Sequence, residues 1–329
     1  MTLIRSSVFL VLLVLARLAT AADAAGPTII QVKSIALDTL TDQTRGSIEW
    51  SHGGFLFQNV SGGGPPTFYT LDREGQLISE ATPVMPESGY VSVSSCDRRD
   101  DNSIVFIGQA WSAHGQPASL IGLISADGTT ERIIRTAPYH PYMLSIAPDG
   151  TFWTLGLEMV DRDISAPGLD PKAGVLRHFD RSGKLLGASG PQSQFVKLYT
   201  TGRLDYGYLS SVNNRIGWYA PRSGAGGQYV EMDLDSMTPR TYPGLPELPE
   251  LGLVVCFRLT ESGNAFLSVY DNKSKHATTY MFNRETHKWL PLEGTVASQR
   301  PGPYLIGVDG EQLVFRDWKS NAMFFSLSR

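Results

Sequence analysis

Residues 142–187 read YMLSIAPDGTFWTLGLEM, then a loop rich in Asp, Pro and Gly, then GVLRHFDRSGKLLG. Four short runs of β-forming residues stand out, at 145–147, 151–155, 175–179 and 184–186. The first two flank Asp149-Gly150 and the second two flank Asp180-Arg181-Ser182-Gly183. Asp-Gly between β-formers is a strong hairpin signal, because a two-residue turn needs positive φ and glycine supplies it without a Cβ clash. The stretch is expected to form one antiparallel sheet of four strands.

The same design recurs along the chain. TFYTLDREGQLIS (67–79), SLIGLISADGTTERII (119–134), QYVEMDLDSMTPRTY (228–242) and TYMFNRETHKWLPL (279–292) each join an alternating strand to a second short strand through a polar turn. Their turns recur at about 50 to 55 residues, near the spacing of propeller blades. Matching inner hairpins lie between them, at 47–60, 91–108, 209–219, 254–269 and 305–315. With the opening unit, this makes six inner hairpins and five complete outer ones. Two strands are left over, 29–37 at one end and 323–327 at the other. If the first supplies the outer edge of the last sheet, no unfinished sheet remains. The fold class is all-β: a six-bladed propeller of four-stranded antiparallel blades, closed where the amino-terminal strand meets the carboxy-terminal blade. No stretch beyond the first 24 residues carries a helical stripe of apolar residues.

SIAPDGTFW followed by LRHFDRSGKLLG resembles the blades of six-bladed propellers of the NHL-repeat, SMP-30/gluconolactonase and TolB-like kind. The resemblance spans almost all of residues 25–329 as a pattern. It implies the architecture, which hosts binding modules, lactonases, lyases and scaffolds alike.

Residues 1–24 are expected to be a signal peptide, cleaved before a single propeller domain at 25–329. Arg5 gives a positive start, 8–15 is an apolar run too short to span a bilayer, and Ala19-Thr20-Ala21 or Ala22-Asp23-Ala24 offers a small-x-small cleavage site. The expected location is periplasmic or extracellular. The net charge of −4 becomes −6 when Arg5 and Arg17 are lost, or −5 if Asp23 goes too. With no Lys/Arg block, nucleic acid and anionic membrane surfaces are not expected partners. Cys96 and Cys256 sit in innermost strands of different blades, so they are expected to be buried free thiols rather than a disulfide.

Ligands of such rings usually meet the mouth of the central channel. The approaches to the innermost strands bring Glu49, Trp50, Tyr90, Tyr139, His140, Tyr142, Arg203, Asp205, Tyr206 and Tyr304 there. Loops within the blades add Trp111, His114, Glu158, Asp161, Arg162, Asp163, Arg222, Lys273, His276, Trp318 and Lys319. Aromatic faces beside carboxylates and Arg suit a flat or sugar-like ligand. Ca²⁺ or another divalent ion is the only candidate cofactor, through Glu49, Asp161 and Asp163. The resemblance to SMP-30-type lactonases implies an acidic first ligand where Glu49 stands. It also implies Asn or Asp at later inner strands, where this chain has Ser145-Ile146-Ala147 and Val254-Val255-Cys256. A His140–Glu158 pair is the candidate acid/base site. The favoured expectation is a secreted, monomeric, non-catalytic propeller binding a small molecule or protein through one face. The alternative is a lactonase-like hydrolase or a lyase acting on a carbohydrate-derived substrate.

Overall fold

The computed structural model describes residues 26–37, 46–59, 65–84, 90–111, 118–159, 170, 172–191, 208–220, 227–245, 252–294, 303–317 and 321–328. The first strand, β1 (Ile29–Ala36), stands apart in sequence from its sheet. Blade 1 is β2 (Gly46–Ser51), β3 (Gly54–Asn59), β4 (Thr67–Leu71) and β5 (Leu77–Ala81). Blade 2 is β6 (Tyr90–Arg98), β7 (Ile104–Trp111), β8 (Ala118–Ile124) and β9 (Thr130–Arg135). Blade 3 is β10 (Tyr139–Ile146), β11 (Phe152–Glu158), β12 (Gly174–Phe179) and β13 (Leu185–Pro191). Blade 4 is β14 (Tyr208–Val212), β15 (Arg215–Ala220), β16 (Gln228–Asp233) and β17 (Thr238–Pro243). Blade 5 is β18 (Gly252–Leu259), β19 (Ala265–Asp271), β20 (His276–Asn283) and β21 (Lys288–Pro291). Blade 6 is β22 (Tyr304–Asp309), β23 (Gln312–Arg316) and β24 (Asn321–Leu327), completed by β1. The six sheets of four strands make the expected propeller.

The seam is antiparallel, running from Ile29 opposite Leu327 to Ala36 opposite Asn321, with one bulge between Gln31 and Lys33. A parallel bridge from Thr28 to Glu293 and hydrogen bonds of 2.9 and 3.0 Å hold the approach to β1 against blade 5.

The Asp149-Gly150 hairpin differs in detail from expectation. Gly150 has φ +80° while Asp149 does not enter the left-handed region, and the loop is closed by Gly150 N–H to Ala147 O (2.9 Å) and Ala147 N–H to Thr151 O (2.8 Å). This is a type I turn followed by a one-residue bulge. Pro148 explains it: it has no N–H to close a two-residue loop against Thr151, while its ring holds φ near −65°, as the first central position of a type I turn takes. Asp149 Oδ1 accepts from the Thr151 amide (2.9 Å) and hydroxyl (2.6 Å), fixing the corner. The outer turn at Asp180–Lys184 repeats the device, with Asp180 Oδ1 taking both the Ser182 and Lys184 amides at 2.9 Å.

Six apolar clusters fill the spaces between blades, one at each interface. Trp50, Phe55 and Phe324 join blades 6 and 1, for example, and Leu155, Leu176 and Trp218 join blades 3 and 4. Each fully buried Phe contributes roughly 1.5–3 kcal/mol. Two consecutive buried arginines then clip blade 2 to both neighbours. Arg98 donates back to Leu71 O (2.7 Å) and His52 O (3.2 Å) of blade 1, and Arg99 donates forward to Gly150 O (3.0 Å) and Arg181 O (2.9 Å) of blade 3. Gly54 makes room for the first clip: a Cβ there would stand 2.4 Å from the Arg98 guanidinium.

Arg99→Met strips the buried Gly150 carbonyl and the part-buried Arg181 carbonyl of their donor and is expected to cost on the order of 2 kcal/mol. Arg132→Ala, at an exposed clip to Ser182 O, is expected to cost about 0.5 kcal/mol or less. Urea unfolding of the two variants beside the parent checks both values.

Candidate functional site

The innermost strands β2, β6, β10, β14, β18 and β22 line the central channel, and a chain of polar contacts runs around them. The Ser51 hydroxyl bonds Asp97 Oδ1, and Asp97 Oδ2 accepts the Ile146 amide (2.9 Å). Ser145 and Ser211 share their hydroxyls at 3.0 Å, and Ser210 Oγ accepts the Leu259 amide at 3.0 Å. Arg258 Nη2 then crosses the channel to Glu49 Oε2 at 2.6 Å, linking blade 5 to blade 1. These groups explain why inner strands tolerate polar residues. Each satisfies an inter-blade hydrogen bond that an apolar side chain would leave unmade.

Glu49 and Arg258 form the waist of the channel. A cavity of ≈ 180 Å³ opens below them, on the side of the turns that join first and second strands, bordered by Asp97, Ser145, Ser211 and Glu261. Above them lie two further cavities, ≈ 200 Å³ beside Cys96 and ≈ 220 Å³ beside Cys256 and Tyr304. The pair lines all three. Arg258 keeps 14 % of its side-chain surface and Glu49 keeps 25 %, so both are partly withdrawn from water while still facing the channel. Burial pushes the Glu49 carboxyl above its usual range; Arg258 pulls it back and Asp97 pushes it further up. Arg258 also donates to Phe257 O (2.9 Å), which fixes the guanidinium plane.

The residues expected at one mouth divide among several places. Glu49 is at the waist. The Trp50 ring is packed edge-on against Phe55 and Phe324, with ring centroids 4.7 and 5.0 Å away. Tyr139 is fully buried, its hydroxyl hydrogen-bonded to Thr154 and to Val175 O. Trp50 and Tyr139 are therefore interior residues, a correction to their expected place at the mouth. Alternation along the strand is the cause, since every second side chain of an innermost strand points between blades. Tyr142 is buried too, its hydroxyl 2.6 Å from Met159 Sδ. Tyr304 lines the upper cavity. Trp111 ends β7 at the upper rim. Arg203, Asp205, Arg222, Asp161 and Asp163 lie outside the described residues, as do His114 and the expected leader.

His140 and Glu158 are not brought together. Tyr139 is opposite Glu158 and His140 is opposite Leu157 in the register of β10 and β11, so the two side chains leave opposite faces of blade 3. Glu158 pairs with Arg177 at 2.8 Å, and the Arg177 guanidinium lies over the Tyr139 ring at 3.8 Å. His140 turns instead toward blade 2, where it meets the Ser119 hydroxyl through Nδ1 and Gln109 Nε2 at 3.2 Å.

The described donors do not fit a divalent ion. Arg258 sets a fixed positive charge 2.6 Å from the one carboxylate that resembled a first ligand. Among the described residues no three His, Cys, Asp or Glu side chains converge. Cys96 and Cys256 are buried free thiols on opposite sides of the channel; burial raises both, Cys256 to about 11. Sequence reasoning missed Arg258 and Asp97. The available signal was a charge at the end of an otherwise apolar inner strand, as in LVVCFRL.

No family model matches the chain, and no curated protein matches it in sequence. Among solved structures it is similar to a gluconolactonase from Xanthomonas campestris, at 13 % identity over 91 % of this chain and 99 % of that one, with a TM-score of 0.48. It is also similar to a luciferin-regenerating enzyme, at 14 % identity over 92 % and 95 % with a TM-score of 0.47. A TolB protein from Agrobacterium tumefaciens aligns at 13 % identity over 93 % and 100 %, TM-score 0.46. At these identities the likeness is one of fold and assigns no activity.

Glu49→Ala leaves a half-buried guanidinium without its partner and is expected to cost on the order of 3 kcal/mol, most of it recovered in Glu49→Leu/Arg258→Met. A raised carboxyl binds its proton more tightly in the folded chain than in the unfolded one. The contribution of Glu49 to stability is therefore fully present below the ordinary glutamate value and is lost as pH rises through the higher folded value. The stability of the parent relative to Glu49→Gln is expected to fall across that window, as read from urea midpoints at successive pH values.

Proposed function

We propose that this chain is an exported, non-catalytic propeller that binds a small, neutral, hydroxyl-rich molecule in its central channel. The Glu49–Arg258 pair carries the reading. The two charges already neutralise each other, so an anionic or cationic ligand would have to break a 2.6 Å contact between partly buried groups. A hydroxyl breaks nothing: it can donate to the carboxylate and accept from the guanidinium at once. The surrounding Ser51, Ser145, Ser210 and Ser211 supply further hydroxyls of matching chemistry. A cavity of ≈ 180 Å³ suits a molecule of monosaccharide size better than a protein segment.

One observation favours a second reading, a hydrolase or lyase on a carbohydrate-derived substrate. Glu49 is raised by burial, and a carboxyl tuned upward in a cleft is suited to general acid/base work. Binding and turnover separate the two readings.

Titration calorimetry with a panel of monosaccharides, polyols and sugar lactones is the test. Saturable binding of an unchanged compound, weakened roughly tenfold or more by Arg258→Gln through loss of a charge-assisted hydrogen bond, supports the module. Consumption of a lactone or uronate by the parent but not by Glu49→Gln moves the assignment to the enzyme, and no binding at millimolar ligand removes the channel site. Export predicts a mature chain beginning near residue 25, checked by intact mass of protein recovered from outside the cytoplasm; a full-length mass there overturns that part.

A further inference from the structure

The outermost strand of blade 3 differs from those of the other blades. Edge strands present unpaired amides and carbonyls, and proteins usually guard them with charges, proline or short length. Of the outermost strands, β5 carries Glu80, β9 carries Glu131, Arg132 and Arg135, and β1 carries Lys33 and a bulge. β17 holds Pro239 and Arg240, and β21 is four residues long with Lys288. β13 reads LLGASGP, with no charge and no proline before its last residue, and exposes Leu185 and Leu186 at 47 and 52 %.

Beside that edge lies a cleft of ≈ 760 Å³ between blades 3 and 4, which shares only Pro148 with the channel cavity below Glu49 and Arg258. Its floor is a row across the sheet in which Trp153 is opposite His178 and His178 is opposite Gly187. The Trp153 and His178 rings stack in parallel at 4.0 Å, and the row then stops, because Gly187 has no side chain and a Cβ there would meet nothing within 4 Å. Leu234 and Met237 form the facing wall on blade 4. Asp149 is the one charged residue among the described residues of the lining, and Asp235 stands behind Asn214 at 2.6 Å. Asp149 and Asp235 are carboxylates at that end, which a basic residue would complement.

We propose that the edge of β13 and this cleft form a docking site for an extended peptide segment of a partner protein, with apolar residues at alternate positions and a basic residue beside Asp149. Added as a fifth strand, the segment pairs its backbone with β13 and sends every second side chain toward the recess left by Gly187. A second copy of this chain fits less well. The β13 of another copy, LLGASGP, carries no basic residue to set beside Asp149, and the two molecules share the same net charge, −4 for the whole chain.

Fluorescence anisotropy with a labelled KVTVTVK peptide tests the site. The parent is expected to bind it saturably. Gly187→Trp fills the recess at a position with open space and ordinary φ, so it should melt as the parent does while binding roughly tenfold more weakly or worse, the equivalent of losing two or three cross-strand pairs. A probe with proline at its centre should lose binding similarly, and Asp149→Asn should flatten the salt dependence. If Gly187→Trp alters the melt, the exposed Leu186→Lys serves in its place. Absence of saturation with the parent, or binding indifferent to both the Gly187 variant and the proline probe, overturns the proposal. So does a concentration-dependent dimer in sedimentation that Gly187→Trp abolishes, which would assign the edge to a second copy.

Discussion

A ring of separate sheets holds together only if its last sheet is completed by a strand that sequence places at the far end of the chain. Here that constraint is met by the pairing of β1 with β24, from Ile29 to Ala36 on one side and Leu327 to Asn321 on the other. Without it blade 6 would keep three strands and an open edge in place of the one that β1 covers. Once the seam is shut, every blade has two neighbours, and each of the six apolar clusters has both of its walls.

Closure also determines what the centre can be. Six innermost strands converge on a passage that the chain lines with hydroxyls and carboxylates bonded across blade boundaries. The Glu49–Arg258 pair is the most costly of these contacts to assemble, because both groups give up water to make it. It connects blades 1 and 5, which are not adjacent in the ring, and so it reports directly on the distance across the channel.

Much of this was legible from residues. The period near fifty, the Asp-x-x-Gly turns and the two leftover strands carried the blade count and the seam, because turn chemistry is local and each turn needs a particular backbone conformation. The Asp149 turn departs from expectation in type because Pro148 lacks the N–H that a two-residue loop would use. The site was far less legible. Trp50 and Tyr139 sit on inner strands as expected, yet which face each presents depends on a register that one bulge can shift, as between Pro141 and Met143 in β10. Arg258 lies 209 residues from Glu49, and nothing local marks them as partners. Their meeting is a property of the closed ring, invisible until the ring is built.

The seam has a consequence for biosynthesis. Within blades 1 to 5, each strand pairs with its neighbour in sequence, so these blades can close on local pairings alone. β1 is made first and pairs last. Until β24 emerges, nearly 300 residues later, the earliest strand waits as a loose tether whose capture costs only about 1.5 kcal/mol more than closing a blade-length loop, since the entropy grows with the logarithm of length. The exposure of that one strand, rather than the energy of closing the loop, sets the seam apart from the pairings within blades.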